Sequence, residues 1–100
     1  MKSKKRLSKA EAQRIHARER FRRRKNIDFT DELHREAVGK IRNQDPSAHV
    51  IRQQSHRVSI WRLVIAGAEC RVVYDRKRDN IVTVLPERWN ADYLQRWWEN

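Results

Sequence analysis

The sequence predicts an α+β domain in which two N-terminal helices pack on a four-stranded antiparallel meander, followed by a short C-terminal helix. Two observations indicate this class. Apolar residues recur about every four positions before the Asp45-Pro46-Ser47 turn and about every second position after it. The chain has 100 residues, which suffices for one compact core. We therefore expect residues 1–7 to form a basic flexible tail and residues 8–100 to form a single domain.

The first helix is predicted from Ser8 to about Lys25. Ser8 is a favourable N-cap residue, and Glu11, three positions later, completes the reciprocal capping pattern. At about 100° per residue, four apolar side chains share a narrow stripe and three basic ones form a row at its edge. The apolar stripe is Leu7, Ala10, Ala17 and Phe21, and the basic row is His16, Arg20 and Arg24. We expect the basic row to lie half-buried, with its polar ends in a cleft.

A second helix is predicted over about Asp31 to Arg42, with Thr30 as its N-cap residue. Its apolar face consists of Leu33, Ala37, Val38 and Ile41. Because His34 falls inside this face, we expect it to be a hydrogen-bonded core histidine and not a ligand.

The remaining pattern predicts four strands joined by consecutive hairpins, which is typical of an antiparallel meander. The predicted strands are His49–Gln53, Val58–Ala66, Ala68–Asp75 and Ile81–Leu85, and the predicted last helix is Asn90 to about Trp98. Cys70 lies in an apolar strand pattern, so we expect a buried, inert thiol. The four tryptophans either close the small core, form a contact with another subunit or stack on bases, and they are Trp61, Trp89, Trp97 and Trp98.

Positive charge is concentrated at the N-terminal end. Residues 1–25 hold 12 Lys and Arg against 2 acidic residues, whereas residues 26–100 hold 12 against 11. This asymmetry favours a polyanionic partner, because phosphate contacts release condensed counterions. The longest apolar run, residues 63–68, is far shorter than the ~20 residues of a membrane span. The single cysteine cannot form an internal disulfide. We expect a cytoplasmic protein with no membrane contact.

The row of His16, Arg20 and Arg24 indicates phosphate chemistry. Metal-independent RNA cleavage requires a base for the 2′-hydroxyl proton, a cation for the phosphoryl charge and an acid for the departing 5′-oxygen. Histidine suits either proton role because imidazole titrates near neutral pH. Arginine suits the charge role because its ionised fork matches phosphate oxygens. The sequence has neither an acidic cluster for Mg²⁺ nor zinc-ligand spacing, so no metal and no cofactor are expected.

These residues carry a resemblance to a known family. The His-Ala-x-x-Arg-x-x-x-Arg motif beginning at His16, with the Ile-Val-Thr-Val run beginning at Ile81, resembles small uncharacterised bacterial and phage domains. Those domains are grouped by fold with metal-independent ribonucleases: barnase, the EndoU enzymes, the tRNA-cutting colicins and RelE-type toxins. The resemblance covers residues 15–86. It implies a RelE/barnase-like domain in which His16 is the acid or base, Arg20 and Arg24 bind phosphate, and Thr83 offers a hydroxyl to the scissile phosphate.

Further residues extend the predicted site. His56 and Tyr74 are candidates for a second proton-transfer group. Additional nucleic-acid contacts are expected from Lys4, Lys5, Arg6, Arg18, Arg22, Arg23 and Lys25.

Two functions stay open. The first is a toxin-like or phage-encoded endoribonuclease acting on tRNA, mRNA or ribosome-bound RNA, with an acidic antitoxin or inhibitor as a partner. The second is a non-catalytic module that holds nucleic acid or an acidic protein through its basic helix.

Overall fold

The computed structural model describes residues 7–86 as two helices followed by four strands. The elements are α1 (Lys9–Lys25), α2 (Asp31–Arg42), β1 (His49–Gln53), β2 (Val58–Ile65), β3 (Ala68–Asp75) and β4 (Asn80–Val84). The predicted α+β class is confirmed for this part of the chain. The predicted C-terminal helix, Trp89, Trp97, Trp98 and the basic tail up to Arg6 lie outside the described residues. Within residues 7–86, no helix is long and apolar enough to cross a membrane.

Both helices begin where the capping residues predict. The Glu11 N–H donates to the Ser8 hydroxyl at 3.0 Å, and the Ser8 N–H donates to the Glu11 carboxylate at 2.9 Å. The Leu33 N–H donates to the Thr30 hydroxyl at 3.2 Å. At the other end of α1, Asn26 adopts the left-handed conformation (φ 56°), which a helix C-terminus commonly requires. Local chemistry therefore determines the limits of the helices.

The four strands form one antiparallel sheet in the order β1-β2-β3-β4, which is the predicted meander. The β2 strand ends one residue earlier than predicted, because Ala66 (φ 51°) and Gly67 (φ 80°) make the tight turn to β3. An irregularity in the pairing of β3 with β4 determines the face on which Thr83 lies. Tyr74 pairs with Ile81 and Val73 pairs with Thr83, so Val82 is an extra residue in the register. Thr83 is thereby placed on the same face of the sheet as Val73.

The two helices pack on one face of the sheet and form the main core with it. His34 lies in this core and its Nε2 accepts the Ile81 N–H at 3.0 Å, which confirms the predicted core histidine. Cys70 is buried, as predicted. A second apolar cluster occupies the opposite face and consists of Val58, Ile60, Val73 and Leu85, with Val82 packed against it. Thr83 lies on this second face, at the edge strand.

Candidate functional site

The α1 helix packs along β4, the edge strand of the sheet. Ala17 and Phe21 are fully buried and hold the helix against the core. The residues that precede each of these two by one position, His16 and Arg20, therefore lie at the margin of the buried stripe, as their spacing predicts. Arg20 and Arg24 are half-buried, as predicted, but the prediction is wrong for His16, which is exposed because it lies on the solvent side of that margin.

His16, Arg20 and Thr83 line one cavity of about 240 Å³, together with Gln13 and Val82. The three residues are 67 positions apart at most, yet the packing of α1 on β4 brings them together. Thr83 is 5% exposed, and its hydroxyl donates to the Val84 carbonyl oxygen at 3.4 Å. A bond of that length is weak, so the hydroxyl can exchange it for a better acceptor in the cavity. The cavity thus presents an imidazole, a guanidinium and a hydroxyl to one small ligand group.

Gln13 is a member of this cavity that sequence reasoning missed. Its Nε2 donates to the Asp75 carboxylate at 3.1 Å, and its Oε1 accepts from Asn80 Nδ2 at 3.2 Å. Asn80 Nδ2 also donates to the Ala10 carbonyl oxygen at 3.0 Å. These bonds tie the N-terminal half of α1 to the β3–β4 hairpin and so set the position of His16 one turn further on. No sequence signal distinguishes Gln13 from a solvated helix residue, because its partners lie 62 and 67 positions away.

Asp75 is the buried acceptor at the centre of this network, with a side chain 3% exposed. Its carboxylate accepts two bonds from the Arg57 guanidinium, at 3.0 and 2.8 Å, and the backbone N–H groups of Lys77 and Arg78, at 3.0 and 3.3 Å. Burial acts to raise the pKa of Asp75, but the hydrogen bonds from Arg57, Gln13 and Arg78 outweigh it and lower the pKa to about 2. Asp75 is therefore ionised at neutral pH and anchors the hairpin.

Arg24 does not line this cavity and instead forms a hydrogen bond with β4. Its Nη1 donates to the Val84 carbonyl oxygen at 2.8 Å, on the edge strand. It also lines a separate, larger cavity of about 680 Å³, whose other lining residues are Arg23, Lys25, Asn26, Ala68, Glu69 and Arg71. Within it, Lys25 Nζ donates to the Glu69 carbonyl oxygen at 3.3 Å. The predicted row is thus divided between two cavities, with His16 and Arg20 in the first and Arg24 in the second.

The opposite flank of α1 has an acidic partner. Asp28 accepts from Arg18 Nε at 2.8 Å and from Arg22 Nη2 at 3.4 Å. Hydrogen bonding to Arg18 lowers the pKa of Asp28. Arg18 and Arg22 were both predicted as nucleic-acid contacts, and the structure places them in this surface ion pair instead of in either cavity beside β4.

The two candidates for a second proton-transfer group are not brought to His16. His56 is exposed in the β1–β2 turn and does not line the His16 cavity. The Tyr74 hydroxyl donates to Asp79 Oδ1, and this residue lines a different cavity on the helix-facing side of the sheet. Burial and the bond to Asp79 raise the pKa of Tyr74. Lys4, Lys5 and Arg6 lie outside the described residues.

Residues 7–86 contain no group of three or more His, Cys, Asp or Glu side chains placed to hold a metal ion. No family model, no curated protein and no solved structure matches the chain.

Proposed function

We propose that this protein is a metal-independent endoribonuclease whose active site is the cavity between α1 and β4. The observation that carries the proposal is the presence of His16, Arg20 and Thr83 in the lining of one cavity. His16 can serve as the base, and Arg20 and Thr83 can both stabilise the phosphoryl oxygens. The strongly basic N-terminal segment supplies the attraction for RNA.

In the proposed reaction, the neutral imidazole of His16 takes the proton of a ribose 2′-hydroxyl. The freed 2′-oxygen attacks the adjacent phosphorus, and the bond from phosphorus to the 5′-oxygen breaks. The leaving 5′-oxygen takes a proton from water, and His16 returns its proton to solvent. The products are a 2′,3′-cyclic phosphate and a 5′-hydroxyl. A positioned histidine base contributes typically 10²- to 10⁴-fold to such a reaction.

Arg20 and Thr83 act on the phosphoryl oxygens. The Arg20 guanidinium offsets the additional negative charge that develops as the 2′-oxygen attacks. The Thr83 hydroxyl donates to a non-bridging oxygen in place of its weak bond to the Val84 carbonyl. Gln13 is a positioning residue, because it ties α1 to Asp75 and Asn80. Arg24 and its neighbours bind another phosphate of the RNA in the separate cavity that they line.

A second candidate function is a non-catalytic module that binds RNA through the same helix. One observation favours it: among residues 7–86, His16 is the only lining residue of the cavity whose side chain ordinarily titrates near neutral pH. In this case affinity would follow the number of cationic contacts, with a slope of about −0.7 per phosphate in log–log salt titrations. An acidic protein covering α1 would compete with RNA under either function.

The deciding experiment compares three proteins on mixed cellular RNA in EDTA: wild type, His16→Ala, and His49→Ala as the matched control. His49 is an exposed histidine on β1 that lines none of the cavities described above. We expect wild type and His49→Ala to release fragments ending in 2′,3′-cyclic phosphate, and His16→Ala to lose at least about 100-fold in rate with RNA affinity nearly unchanged. Intact RNA with all three proteins, together with equal gel shifts, would identify the binding module.

A further inference from the structure

The cavity that Tyr74 lines has a volume of about 540 Å³ and lies on the helix-facing side of the sheet, away from Thr83. It opens between the C-terminal end of α2 and the strands β1 to β3, and its size is that of a small-molecule site. Its lining is mixed, with two aromatic side chains, two arginines, one carboxylate and several neutral polar groups. The lining residues are Ile41, Arg42, Gln44, Gln53, Ser59, Trp61, Tyr74, Arg76 and Asp79.

The aromatic wall of this cavity is held in one orientation. Trp61 Nε1 donates to the Ser59 hydroxyl at 2.8 Å, within the same strand. The only polar atom of the indole is therefore already satisfied, and the ring is half-buried against the main core. Because its N–H group is already bonded, the indole contacts a ligand through its π surface. Because the ring is already fixed, little conformational entropy is lost when a flat ring binds to it.

The charged groups leave an excess of one positive charge. Arg42 Nη1 lies 3.2 Å from Asp79 Oδ2, so these two charges offset each other. The Tyr74 hydroxyl donates to the other oxygen of Asp79, and burial raises the pKa of Tyr74, so this phenol stays neutral. Arg76 is exposed, and its guanidinium has no ion pair among residues 7–86. The cavity therefore favours an anion, with Arg76 as the group available to receive it.

We propose that this cavity binds a nucleotide, with the base on Trp61 and the phosphate on Arg76. A planar aromatic anion is the ligand class that a fixed indole and an arginine with no ion pair among residues 7–86 recognise together. The same chemistry is presented by a free nucleoside monophosphate and by one nucleotide of an RNA chain. The site shares no lining residue with the His16 cavity, so it does not depend on the proposed catalytic function.

The test follows the Trp61 indole N–H signal in ¹⁵N-labelled His16→Ala protein, which keeps the RNA intact. The probes are AMP, GMP, CMP, UMP, inorganic phosphate and RNA trinucleotides. We expect at least one mononucleotide to shift the signal saturably below about 1 mM, and phosphate to shift it much less. Arg76→Ala should weaken this binding at least fivefold, whereas Arg35→Ala, which removes an exposed charge on α2 outside the cavity, should not.

The trinucleotides distinguish the two sources of the ligand. Binding at least tenfold tighter than that of the best mononucleotide identifies a segment of RNA, and equal affinity identifies a free nucleotide. The proposal is overturned if no mononucleotide or trinucleotide shifts Trp61, or if Arg35→Ala weakens binding as much as Arg76→Ala. The difference in RNA cleavage between wild type and His16→Ala, measured separately, reports on the His16 cavity, whereas the Trp61 signal reports on the other cavity. The two proposals therefore fail independently.

Discussion

The two flanks of α1 carry the same kind of residue in different surroundings. On one flank, Arg20 lines a cavity with His16 and Thr83, and among residues 7–86 no carboxylate lies within ion-pair distance of it. On the other flank, Arg18 and Arg22 share Asp28 at 2.8 and 3.4 Å. All three guanidinium groups are charged at any physiological pH. The two flanks therefore differ in whether a carboxylate, here Asp28, offsets the charge of the arginines, and not in the presence of arginines. The flank without such a carboxylate is the one whose positive charge can attract a phosphate.

Anchoring also differs between the flanks. The cavity flank is held to the β3–β4 hairpin by the buried network of Gln13, Asp75 and Asn80. The Asp28 flank rests on an ion pair whose side chains are about half exposed, and pairs of that kind contribute little to stability. A catalytic group requires a fixed position, so the flank with the buried network is the better place for one.

The largest effect is expected when one arginine is removed from each flank. We expect Arg20→Ala to lower RNA cleavage by about 100-fold or more, because a charge-stabilising donor in the transition state is lost. Arg22→Ala, the matched control, should change the cleavage rate by no more than about fivefold, because it removes only a member of an exposed ion pair. The measurement is the single-turnover rate at saturating protein. Equal losses in the two variants would mean that only total charge matters.

The next largest effect is on the network that anchors the cavity flank. Asp75→Asn removes the charge that Arg57 and Gln13 bind, and we expect it to lower the free energy of unfolding by about 3 kcal/mol. Urea denaturation measures the loss. Asp28→Asn serves as the control, because its carboxylate is exposed and the substitution should leave the urea midpoint nearly unchanged.

The low pKa of Asp75 gives this stabilisation a defined pH dependence. The pKa is about 2 in the folded protein and about 3.9 in an unfolded chain, so folding disfavours the protonated acid. The contribution is complete above about pH 5 and is lost as the pH falls through 4 towards 2. Wild type should therefore lose stability in acid more steeply than Asp75→Asn. Parallel curves for the two proteins would show that Asp75 is not held as an ionised acceptor.

A smaller effect is expected at His34, which holds α2 to the strand that carries Thr83. Burial and the nearby charge of Arg14 lower the pKa of His34, although Asp31 and Asp79 act in the opposite direction. Protonation would remove the lone pair that accepts the Ile81 N–H, a loss of about 1 kcal/mol. Stability should thus be complete above about pH 6.5 and decline as the pH falls below it. Thermal unfolding from pH 7 to 5 should show this decline in wild type and not in His34→Gln.

The smallest effect concerns the Asp28 flank itself. Asp28→Asn leaves Arg18 and Arg22 without their acid, and we expect RNA affinity to rise by no more than about fivefold, with the cleavage rate unchanged. Filter binding at several salt concentrations measures both the affinity and the number of phosphate contacts. A large rise in cleavage would place the functional surface on this flank and overturn the distinction between the two.

Much of the fold could be predicted because its causes are local. The helix limits follow from Ser8 with Glu11 and from Thr30, and the meander follows from the change of apolar period after Pro46. His34 could be assigned to the core because its position on an amphipathic face is a property of the helix alone. These features depend on residues within a few positions of each other, so the order of residues along the chain is sufficient to specify them.

The site depended on contacts that no local pattern encodes. The sequence indicated a basic row on α1. Only the packing of α1 on β4 brings Thr83 into one cavity with His16 and Arg20. Only the register of β3 with β4 places Thr83 on the same face of the sheet as Val73. The same packing brings Gln13 to Asp75 and Asn80, and Tyr74 lines a separate cavity. Sequence alone determined which elements form and which residues carry charge, since propensity, capping and period act over a few residues. Tertiary structure decided which charges are neutralised and which groups meet, because such encounters depend on where distant strands and helices come to lie.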